Sequence, residues 1–64
     1  MNVETVTARV RAEFEEMPGM TLTVPQASRL FGLDDDVCLR IVEQLVKASY
    51  LRWTHTGAVT RIAG

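Results

Sequence analysis

Apolar residues at Val3, Val6, Val10, Phe14 and Met17 recur at the spacing that lines one face of a helix. Asn2 stands where an N-cap belongs, and Arg9 with Glu13 forms an i,i+4 pair beside the stripe. Pro18-Gly19 ends this first helix, because proline cannot continue it and glycine tolerates the turn. Met20-Thr21-Leu22 is a β-prone link too brief to stand alone, so it pairs with another strand or stays extended. Thr23-Val24-Pro25-Gln26 then reads as a capping box with proline in the first turn, where its missing donor is harmless. Ala27, Leu30 and Phe31 of this second helix are expected inside, with Ser28 and Arg29 outside. Gly32 ends it and Leu33 plugs the turn.

A third helix is predicted from about 35 to 48. Asp34 is its expected N-cap, and Asp35 and Asp36 occupy the first turn, where the helix dipole favours negative charge. Cys38, Ile41, Val42 and Leu45 share its inner face, and Asp35, Asp36, Leu39, Arg40 and Glu43 face outward. Ser49 follows, where a glycine would be the usual stop. Residues 50–62 read as a hairpin around a Thr56-Gly57 loop, pairing Leu51 with Ile62, Trp53 with Thr60 and His55 with Ala58. That register puts Leu51, Trp53 and Ile62 on the core side and sets Arg52 opposite Arg61, a like-charge pair that an anion would relieve. Trp53 is expected to close the gap between hairpin and third helix, in preference to stacking on a base.

Composition narrows the function classes. Sixty-four residues make a single domain, 1–64, whose small core leaves little room for a walled substrate pocket, so no enzyme is expected. A lone Cys38 closes no intrachain disulfide, and with His55 it falls far short of a zinc ligand set, so no metal or cofactor is expected. No run is long and apolar enough for a membrane span and the first residues lack a secretory h-region, which together point to the cytoplasm. Seven basic against eight acidic residues give a net charge of -1, without the basic excess usual in nucleic-acid binders. The acids Glu4, Glu13, Glu15 and Glu16 concentrate early, whereas Arg29, Arg40, Lys47, Arg52 and Arg61 lie later. Asp34, Asp35 and Asp36 fan out over three directions of a helix, which suits neither a metal cage nor acid–base work.

The order helix, short strand, helix, turn, helix, hairpin is that of the winged helix-turn-helix domain, an α+β fold: a three-helix bundle with a C-terminal β-hairpin wing and a short strand between the first two helices. Leu22-Thr23-Val24, Ala27, Leu30, Gly32-Leu33, Cys38, Ile41, Val42, Leu45 and Tyr50-Leu51 resemble the corresponding positions of bacterial winged-helix regulators. The central portion is similar to the multiple-antibiotic-resistance regulator family, and residues 17–46 also resemble small stand-alone bacterial winged-helix proteins. The resemblance implies a transcriptional regulator that binds double-stranded DNA. Its third helix would enter the major groove with Asp35, Asp36, Leu39 and Arg40, Arg40 being the guanine reader. Ser28 and Arg29 would lie near phosphates, and hairpin 51–62 would bring Arg52, His55 and Arg61. The pattern departs from those relatives at Asp35 and Asp36, where they favour Ser, Thr, Arg or Lys. The alternative is a winged-helix interaction or self-association module that leaves DNA alone, using the acidic face with exposed Leu39 on a protein partner. Spare apolar surface on the first helix is a further route to a homodimer.

Overall fold

The computed structural model describes residues 2–62. Its elements are α1 (Val3–Glu16), β1 (Thr21–Thr23), α2 (Val24–Phe31), α3 (Asp35–Lys47), β2 (Leu51–Trp53) and β3 (Ala58–Arg61). The fold is α+β: three helices and a three-stranded antiparallel sheet of order β1-β3-β2. The link after α1 does pair with another strand, Leu22 lying opposite Val59.

Local signals act where the sequence places them. The Asn2 side chain accepts from the Glu4 and Thr5 amides, opening α1. At α2 the capping box is closed both ways: Thr23 Oγ1 accepts from the Gln26 amide at 3.3 Å and Gln26 Oε1 from the Thr23 amide at 2.9 Å. Gly32, at φ +67°, supplies the left-handed residue that ends α2. Asp34 takes the N-cap position of α3, but its side chain makes no capping bond, contrary to expectation. The carboxylate that is engaged is Asp35, as described below. At the other end of α3 the Ser49 amide donates to the Val46 carbonyl and the Tyr50 amide to Leu45. That is a Schellman closure with Ser49, at φ +60°, in the left-handed position normally left to glycine.

The core gathers Val10 and Phe14 from α1, Ala27 and Phe31 from α2, Cys38, Ile41, Val42 and Leu45 from α3, and Leu51 and Val59 from the sheet. Several expectations fail at its margin. Leu30 is 49% exposed, whereas Ser28, expected outside, is buried. The Ser28 hydroxyl donates to the Pro25 carbonyl and the Asp35 carboxylate, so it enters the interior with its polarity satisfied, and the buried face of α2 centres on Ala27, Ser28 and Phe31. Val3 and Met17, the ends of the α1 stripe, are exposed.

The hairpin register also differs. Leu51 pairs with Arg61, Arg52 with Thr60 and Trp53 with Val59, so Arg52 and Arg61 are not opposed. The Thr54 amide donates to the Ala58 carbonyl at 2.8 Å, and the loop is His55-Thr56-Gly57, with Gly57 at φ +82°. Thr54 Oγ1 accepts from the Thr56 and Ala58 amides and holds the turn from inside. A two-residue loop on Thr56-Gly57 would force positive φ on β-branched Thr56, and the three-residue loop needs it only at glycine. Val59 thereby replaces Ile62 in the core; Ile62 is exposed, and Trp53 is 40% exposed at the sheet margin instead of closing the core.

Candidate functional site

The outward side of α3 and the adjacent hairpin hold most of the residues singled out in the sequence. Opposite the buried row of Cys38, Ile41, Val42 and Leu45, helical geometry places Asp36, Arg40, Glu43 and Lys47, all exposed. Two acids and two bases alternate there at i,i+3 and i,i+4 spacing, so the face is locally neutral. Leu39 flanks it, 38% exposed as expected. Arg40 rims a pit of about 180 Å³ shared with Val3, Val37, Ile41 and Gln44, where the start of α1 meets α3.

Asp35 is exposed but engaged. Its carboxylate accepts from the Ser28 hydroxyl across the turn between α2 and α3. This bond fixes the two helices relative to each other and makes Ser28 a buried brace that cannot reach a phosphate. The Cys38 thiol, one turn on, is buried and directed at the Val24 carbonyl, 3.9 Å away. Burial, and secondarily the Asp35 charge, raise its pKa, so it is an inert packing group.

The hairpin cations are unequal. Arg52 and His55 are exposed. Arg61 is half-buried, its Nη2 3.4 Å from Glu15 Oε2, the one ion pair among the described residues. Its guanidinium lies 5.7 Å from the centroid of the Tyr50 ring, and that of Arg11 lies 4.8 Å from it. The Tyr50 hydroxyl donates to Glu15 Oε1 at 2.8 Å and to the Arg11 carbonyl at 3.1 Å. Arg61 thus belongs to a network that straps α1 to the sheet, which no motif in the sequence announced.

Arg29 is exposed beside an open groove of about 450 Å³ between β1 and α2, lined with Leu22, Pro25, Gln26 and Leu30. No pattern in the residues announces this groove, because helical spacing alone puts Leu30 inside, whereas it stands exposed on the groove wall. Among the described residues no three His, Cys, Asp or Glu side chains cluster to hold a metal ion. No helix there is long and apolar enough to cross a membrane. Comparison with family models, with curated proteins and with solved structures gave no match.

Proposed function

We propose that the chain is a winged-helix-like module that binds duplex DNA as a regulator, with α3 toward the major groove and the β2–β3 hairpin as the wing. The observation that carries this reading is the path of the chain. β1 leaves α1, joins the hairpin through β3 and leads straight into α2 and α3, leaving the outer face of α3 and the loop at His55 open to solvent. Arg40 and Arg52 are exposed and in no ion pair among the described residues, which suits contacts to guanine and to phosphate respectively. Ser28 drops out of the contact set and Asp35 is tied to it, leaving Asp36 as the free carboxylate of the first turn, able to accept from a cytosine amino group.

Fluorescence anisotropy with a labelled duplex of mixed sequence, titrated across salt concentrations, tests the proposal. Retention should fall as salt rises, and Arg52→Glu should weaken it and lower the salt slope by about one or more. Failure of the wild-type chain to retain duplex at the lowest salt rules the reading out.

A second reading, a protein-interaction module, draws on the neutral charge of the outer α3 face and the exposure of Leu39 beside it. On that reading Leu39→Asp abolishes association with a protein partner, and Arg52→Glu has no effect.

A further inference from the structure

The groove between β1 and α2 is an apolar recess with one cation, Arg29, at its rim. No carboxylate lies within ion-pair distance of that cation among the described residues. Nearby along the chain stands Met17, 57% exposed, the most exposed of the large apolar side chains among the described residues. Glu16 precedes it, also exposed and in no ion pair there. The Met20 amide closes a turn on the Met17 carbonyl at 2.8 Å, and two residues later the chain reaches Leu22 on the groove wall. Met17 and Leu22 therefore lie within about 18 Å of each other, the extended limit for five residues.

From this complementarity we infer that the chain self-associates about a twofold axis, each copy seating Met17 in the groove of the other, with Glu16 facing the other copy's Arg29. Methionine suits such a recess because its unbranched, polarizable side chain adapts to irregular apolar walls. The contact is reciprocal, so it closes at the dimer and leaves no open end for further copies. Groove and methionine together fall well short of the roughly 800 Å² per partner of a stable interface, so the dimer is weak, with a Kd on the order of micromolar to millimolar. The inference gives Arg29 a carboxylate partner in place of a phosphate, and it does not depend on DNA being bound.

Sedimentation equilibrium of the full chain at concentrations from about 10 μM to 1 mM provides the test. The wild-type mass should rise from 7.2 kDa toward twice that value. Met17→Lys and Leu30→Asp should remain monomeric, and Arg29→Glu and Glu16→Arg should each weaken association by about tenfold. The double variant Arg29→Glu/Glu16→Arg should recover it. All four side chains are exposed, so the fold survives these changes, which circular dichroism verifies. A wild-type monomer throughout the range, association indifferent to Met17→Lys or Leu30→Asp, or absence of rescue in the double variant overturns the inference.

Discussion

The Tyr50 hydroxyl donates to Glu15 Oε1 at 2.8 Å, joining the last turn of α1 to the residue just before β2, thirty-five positions away. Tyr50→Phe keeps the ring near Arg11 and Arg61 and deletes only the donor. The loss should cost about 0.5–1.5 kcal/mol, which lowers Tm by several degrees in a domain this small. Burial and the bond to Glu15 also raise the Tyr50 pKa, so the fold favours its protonated form. The stability this contributes is full below the ordinary tyrosine pKa of about 10 and is lost as pH rises through the raised value. Thermal melts across alkaline pH should therefore show a shallower decline in Tyr50→Phe than in the wild-type chain.

The Ser28 hydroxyl ties α2 to the first turn of α3 through Asp35, and here the charged acceptor strengthens the bond. Ser28→Ala should destabilise by about 1–2 kcal/mol, and Asp35→Ala by less, because the hydroxyl keeps the Pro25 carbonyl. Urea unfolding of both single variants and the double variant isolates the coupling between them. Additive losses would show that the two residues act separately.

Ser49 holds a left-handed conformation that costs a non-glycine residue about 1–2 kcal/mol. Glycine relieves that strain and gives part of the gain back through a more flexible unfolded chain. Ser49→Gly should accordingly stabilise by about 0.5–1 kcal/mol, and β-branched Ser49→Val should destabilise. A denaturant midpoint that moves down in Ser49→Gly would contradict the strain assignment.

The raised pKa and burial of Cys38 predict a thiol silent toward a disulfide reagent at mildly alkaline pH in the folded chain. In denaturant one thiol per chain should react at once. The stabilisation tied to its protonated form is complete below the ordinary thiol pKa of about 8.5 and disappears as pH climbs through the elevated one. Fast labelling without denaturant would mean that the α2–α3 contact opens readily.

Helix boundaries and the α3 core were legible because capping chemistry and apolar period agree there: Thr23, Gln26 and Gly32 act as read, and Cys38, Ile41, Val42 and Leu45 all face inward. In the hairpin two signals compete: burial of Ile62 favours a two-residue loop, and turn sterics favour the three-residue loop that forms. The awkwardness of positive φ at Thr56 was already visible in the residue type. Ser28 was beyond reach, since its burial depends on an acceptor seven positions away that only the tertiary arrangement supplies. Arg61 reads as a free wing cation from sequence because its partner Glu15 lies on another element, and pairing across that separation leaves no periodic trace. Of the candidate site, the outward placement of Asp36, Leu39, Arg40 and Arg52 was readable from helix and strand period alone.

One strand, β3, is hydrogen-bonded on both sides, and β1 and β2 have no other partner among the described residues. During synthesis β1 therefore leaves the ribosome some three dozen residues before anything can pair with it, while α2 and α3 are already free to dock. The sheet therefore cannot form before β3 is made, and a nascent chain halted before Ala58 would display two bare strand edges to its neighbours.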